Sequence, residues 1–227
     1  MELKSSMSLL QTLLPIWLLL LYCTIIPMIF NAGTVAVCIA TGVRFKKIGL
    51  FYGKPVLNFQ TRFGSVCIGY IPTGGFVELD MDAFPKEPAS SRCAVTLSGP
   101  VALFLSALVC LGFQHAGFSF AATFPQLIEL LASPISKGKE FFGLLSAKAI
   151  ATPITAYGVL AMKAAALNLL PLPTLAGGRL LVEMSKKREA SAVAKAINYL
   201  GSVTAFCILV WFVILLVRHF SHGQGKA

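Results

Sequence analysis

The chain has 227 residues, of which 56% are hydrophobic and only 12% charged, with a mean hydropathy of +0.79. Soluble domains carry about 25% charged residues, so the composition excludes an ordinary soluble domain and points to a membrane. Nineteen Lys and Arg face nine Asp and Glu. Nucleic-acid binding needs clustered charge on a solvated face. Here the basic residues sit in short loops between apolar runs, where they meet anionic lipid headgroups and orient helices.

The first apolar run extends from Leu9 to about Ala40, behind Lys4. A signal-peptide core is only about 7–15 residues long, so this run reads as a retained membrane helix. A span needs about 20 apolar residues. Four stretches meet that length: one within 13–40, with Pro15 and Pro27 as possible kinks, then about 94–113, 154–172 and 197–217. None contains Asp or Glu. Between the first two, residues 43–79 change character. The runs 45–53 and 65–72 are short, β-rich and punctuated by glycine. They predict a small membrane-associated sheet, with Thr73-Gly74-Gly75 as a turn and 76–79 as a further strand. A shorter apolar stretch, 118–132, is interrupted by Pro125, Gln126 and Glu129, and reads as interfacial or re-entrant. The expected fold is a single α-helical membrane domain with about four spans.

The segment 42–93 holds seven Lys/Arg and the segment 173–196 holds five. With four spans, these loops share one side. The other side receives Lys4, Lys137, Lys139, Lys148, Arg218 and Lys226, and Lys163 lies within the third span. The excess predicts that both loops are cytoplasmic and both termini outside. A bacterial inner membrane is the expected location. The six cysteines form no CxxC pair, and neither a disulfide framework nor a thiolate metal site is expected.

Several segments match one family in order. They are Gly42-Val43-Arg44-Phe45, then Ile71-Pro72-Thr73-Gly74-Gly75-Phe76-Val77, then Arg92 and Ser98-Gly99-Pro100. The last and most specific is Asn168-Leu169-Leu170-Pro171-Leu172-Pro173-Thr174-Leu175-Ala176-Gly177-Gly178. Over residues 15–218 the chain resembles the site-2 proteases, a family of intramembrane zinc metalloproteases. The resemblance implies a zinc motif HExxH in the first core helix and a Leu-Asp-Gly ligand in the third. The first motif falls on Phe30-Asn31-Ala32-Gly33-Thr34. Phe30 stands for the first His, Asn31 for the Glu, Thr34 for the second His and Ala176 for the Asp. A family asparagine after the Gly-Pro falls on Leu103.

The motif works because residues i and i+4 face the same way on a helix. Two imidazoles hold the zinc, and the Glu acts as base on the metal-bound water. Phe30 and Ala176 offer no donor, and Thr34 is a poor ligand for zinc. The reading is a pseudoprotease with no cofactor. The three histidines, His115, His219 and His222, do not rebuild the site. Ser106 and His115 are nine residues apart on one helix, roughly 13 Å of rise, too far for a catalytic dyad.

The expected role is binding: a scaffold, a subunit of a membrane complex, or a holder of another protein's transmembrane segment. Candidate binding residues are Lys163, Asn168, Pro171, Pro173, Gly74 and Gly75. Lys163 is a charge within a span, suited to a partner's carboxylate or to a hydrogen bond with Asn31. Asn168, Pro171 and Pro173 shape an unwound stretch, and Gly74-Gly75 could admit an added strand. Two alternatives stay open: an active metalloprotease with a rebuilt or partner-supplied metal site, and a lipid or small-solute transport component.

Overall fold

The computed structural model describes residues 2–80, 82–172 and 175–184, with a few isolated positions beyond. The fourth expected span at 197–217, most of the loop 173–196, Pro173, His219 and His222 lie outside the described residues. The chain runs α1 (Glu2–Thr41), β1 (Phe45–Gln60), β2 (Ser65–Leu79), a short 3-10 turn (Phe84–Lys86), α2 (Ala89–Ala132), α3 (Pro134–Ala151), α4 (Pro153–Asn168) and α5 (Ala176–Met184).

Among the described residues, two helices are long and apolar enough to cross a membrane: Leu13–Thr41 within α1, and α2. Only 17% and 33% of their most apolar stretches are buried. A core helix of a soluble protein would hide far more. Trp17, Val109, Phe113, Phe118, Ile128 and Leu131 all project outward, as side chains solvated by lipid do. The other two expected spans are not established by this measure. α4 has 16 residues, and the last run lies outside the described residues.

α2 is longer than the second apolar run. Its 44 residues would reach roughly 66 Å if straight, about twice the hydrocarbon thickness. It is not straight. Gly112 has φ 71° and ψ 165°, a region essentially reserved for glycine. The rings of Phe104 and Phe120 meet edge to face with centroids 6.1 Å apart. On a straight helix, sixteen residues would separate them by roughly 24 Å. The arm 113–132 therefore folds back along the arm 89–111. The stretch 118–132, read from the sequence as interfacial or re-entrant, lies in the returning arm of a helical hairpin. Ala107 and Ala116 are fully buried, because small residues let two helices approach closely.

β1 and β2 form a two-stranded sheet whose overall pairing is antiparallel. Both strands are long and bent, so their halves pair separately. Phe45 faces Leu79 and Leu50 faces Gly75, while Leu57 faces Ile68 and Gln60 faces Ser65. Residues 47–50 also lie alongside 65–68, with both numbers rising together. The expected turn at 73–75 is not a turn between strands. β2 runs through it, bending where Gly74 takes φ 62°.

Three apolar clusters hold the elements together. Cys38, Val43, Phe45, Ile48, Phe84 and Val95 join the end of α1 to the sheet and the start of α2. Leu103, Ala161, Met162 and Ala165 join α2 to α4, with Ile26, Ile29 and Phe30 of α1 packed against them. Leu19, Tyr22, Phe142, Leu145, Ala149 and Ala156 join α1, α3 and the start of α4. The Tyr22 hydroxyl donates to the Pro153 carbonyl at 2.8 Å.

α3 is absent from the apolar profile because Lys137, Lys139, Glu140 and Lys148 interrupt it. Its buried positions, Gly138, Phe142, Leu145, Ser146 and Ala149, nevertheless recur at helical spacing. Pro134 opens it at a position where a missing N–H costs nothing.

Candidate functional site

The degenerate motif lies where α1 crosses α2. Gly33 packs against Ser98 and Ala102; a Cβ built on it would lie 2.8 Å from the Ser98 carbonyl oxygen. One turn away, the Phe30 ring lies over Gly99, leaving no room there for a methyl group. Phe30 belongs to the cluster around Leu103, which is 1% exposed. The Phe30 ring thus packs beside the aliphatic side chain of Leu103. The small residues of Ser98-Gly99-Pro100 are explained by this crossing.

Thr34 donates its hydroxyl to the Phe30 carbonyl at 3.2 Å, so its side chain closes on its own helix. Asn31 lies beside the sheet. A Cβ built on Gly75 would be 3.2 Å from its Nδ2. Ala176 is buried at the start of α5. Behind it, Gly177 sits against the carbonyls of Leu169 and Leu170, where only glycine fits.

α5 is tied to α2 by an ion pair from Arg92 to Glu183, both largely buried. The Arg92 guanidinium also donates to the carbonyls of Glu87 at 2.6 Å and Pro85 at 3.2 Å.

The residues at the ligand positions do not fit zinc. A divalent zinc site uses imidazole, thiolate or carboxylate donors, and Phe30, Thr34 and Ala176 supply none. Among the described residues, no three His, Cys, Asp or Glu side chains come together as a group that could hold a metal ion. The Ser106 hydroxyl is committed elsewhere: it donates to the Leu103 carbonyl at 2.9 Å and meets the Tyr157 hydroxyl at 3.1 Å.

The candidate binding residues fall in three places. Gly74 and Gly75 lie in β2. Gly74 is buried against the Tyr52 ring, and the Tyr52 hydroxyl donates to the Gly75 carbonyl at 3.3 Å. Asn168 ends α4, donating its amide to the Ala164 carbonyl at 2.8 Å, and Pro171 follows in an exposed loop.

Lys163 lies apart from both groups. Its ammonium donates to the Gln126 carbonyl oxygen on the returning arm of α2, not to Asn31. Together they line a cavity of about 380 Å³ between α1, α2, α3 and α4. Glu129, Lys137 and Glu140 border the same cavity. Lys137 bridges the two carboxylates, at 3.6 Å to Glu129 and 3.0 Å to Glu140. The hydrogen bond and charge of Glu140, then the charge of Glu129, hold its pKa above the usual lysine value. On the alkaline side the bridge thus persists through neutral pH and is lost as pH rises past the ordinary lysine range. In the sequence, Gln126 and Glu129 only mark where an apolar run is interrupted. Their place in a site emerges once α2 folds back.

Apolar helices open to lipid, a small sheet after the first span, and a Gly-Pro helix packed on that span define a membrane protein of the site-2-protease kind. The sequence model of Peptidase family M50 matches residues 31–212, and the chain belongs to that family. No curated relative matches it.

Proposed function

We propose that this chain is a non-catalytic member of family M50 that binds a transmembrane segment of another protein, as a scaffold or as a subunit of a membrane complex. The observation that carries this reading is the chemistry at the motif. The Phe30 ring packs on Gly99, and the motif match assigns that position to a zinc-binding imidazole. Three further substitutions remove the base and the other two ligands. One loss could be compensated; four in one site leave no donor set to rebuild. The framework around the site is retained: the Gly33 crossing, the bend at Gly74, and the break after Asn168. Such a framework still suits an extended or helical client. The segment 75–79 pairs with 45–50, and a client strand could add beside it if the Tyr52 ring moves off Gly74-Gly75.

The same reading places four spans in a bacterial inner membrane, with loops 42–93 and 173–196 cytoplasmic. Anionic headgroups meet the basic loops.

Elemental analysis of the purified protein tests the first part. The expected outcome is far less than one zinc per chain for the natural sequence. The fourfold variant Phe30→His, Asn31→Glu, Thr34→His, Ala176→Asp should gain zinc. One equivalent of zinc in the natural protein would sink the reading. Purification of tagged protein in mild detergent tests the second part: a defined membrane partner should co-purify, and a reproducibly solitary chain would count against it.

A further inference from the structure

We propose that the cavity between α1, α2, α3 and α4 is a binding site for one bilayer phospholipid, with an acyl chain along its walls and the phosphate on Lys163 and Gln126. The proposal stands on the cavity's own side chains and holds whether or not the chain is catalytic.

Size comes first. At about 380 Å³ the cavity falls in the range of small-molecule sites. A narrow, flexible acyl chain suits a space of this size that is open on one side. Ile26, Leu130, Phe141, Leu160 and Leu167 supply apolar walls. Leu144 lines the cavity and is also 67% exposed, so the space opens onto the outer surface. Ile128 and Leu131, on the same arm of α2, face outward. The route in is thus from the side, through the apolar surface that meets lipid.

Charge comes second. Glu129 and Glu140 are both engaged by Lys137. Lys163 has the neutral Gln126 carbonyl instead, and no carboxylate lies within ion-pair distance of it among the described residues. An ammonium has three donors, so two remain for another acceptor. A cation in an apolar setting gains most from an anion that also accepts hydrogen bonds. A phosphate does both, and the Gln126 amide N–H groups lie beside it as further donors. Among the described residues, Lys163 is thus the one cation lining the cavity that has no carboxylate in contact, and a bound phosphate would be its direct counter-ion.

The test uses the full chain, stripped of lipid in detergent, titrated with phosphatidylglycerol and followed by native mass spectrometry. One bound phospholipid per chain is expected. Diacylglycerol, which lacks the phosphate, and oleate, which offers one chain and a carboxylate, should each bind about tenfold or more weakly. Lys163→Gln should weaken phosphatidylglycerol by about the same factor, and Lys163→Arg should largely restore it. Ala164→Phe, which fills the cavity while keeping Lys163, should abolish the one-to-one complex. Thermal melting of each variant separates these effects from misfolding. The proposal is overturned if the natural protein holds no phospholipid. It is equally overturned if Lys163→Gln and Ala164→Phe bind as well as the natural protein, or if oleate or diacylglycerol matches phosphatidylglycerol.

Discussion

At the scale of single residues, the chemistry of Phe30 matters less than its packing. The ring fills the space over Gly99 and joins the cluster around Leu103. Phe30→Ala should lower stability by about 3 kcal/mol, the usual cost of an emptied aromatic site, read by thermal unfolding in detergent. Arg92 poses a different case. It holds the Glu183 carboxylate and two backbone carbonyls at once. Arg92→Ala strands a largely buried carboxylate and should destabilise by about 3 kcal/mol or more. Glu183→Gln leaves Arg92 its two carbonyls and should cost clearly less. Equal effects in denaturation experiments would show that the ion pair, rather than the three-way clamp, holds α5.

Among the elements, the hairpin in α2 depends on one backbone conformation. A Cβ built on Gly112 meets nothing within 4 Å, so a side chain there fits sterically beyond its own backbone. The cost comes from φ 71° and ψ 165°. Gly112→Ala should therefore destabilise by about 1–3 kcal/mol through backbone strain alone. Phe104 and Phe120 should separate as well, measurable as a lengthened distance between spin labels on the two arms. If the variant melts like the natural protein with the arms still closed, Gly112 is not the hinge. α3 then packs across α1 and α4 through Phe142, Leu145 and Ala149. Its charged face looks toward the cavity rimmed by Lys137 and Glu140. That division explains a helix invisible to hydropathy: an apolar stripe is buried, while the charged residues between its members break the apolar run.

Over the whole molecule, the basic loops 42–93 and 173–196 should share one side of the membrane. If the returning arm of α2 and α3 also cross, they add two crossings, and the parity is unchanged. Single cysteines placed at Arg62 and Lys187 in a cysteine-free background should be labelled by an impermeant thiol reagent from the same side. Labelling from opposite sides would overturn both the span count and the orientation. The arrangement also separates two places where chemistry gathers. The motif crossing of α1 and α2 is filled by side chains, whereas the space beside Lys163 is open.

The sequence alone was enough for the membrane character, the first span, the strand-rich segment and the family. Each rests on local pattern: an unbroken apolar run, β-branched residues between glycines, and the spacing of Gly-Pro and Asn-x-x-Pro. That Phe30, Thr34 and Ala176 make poor zinc donors was equally legible, because donor chemistry belongs to the side chain itself. Only the tertiary structure decided what fills those positions, and that Lys163 meets Gln126 rather than Asn31. The reason is the fold-back at Gly112. A single glycine conformation brings residues 37 positions apart in the chain to one cavity, and no local periodicity encodes such a meeting.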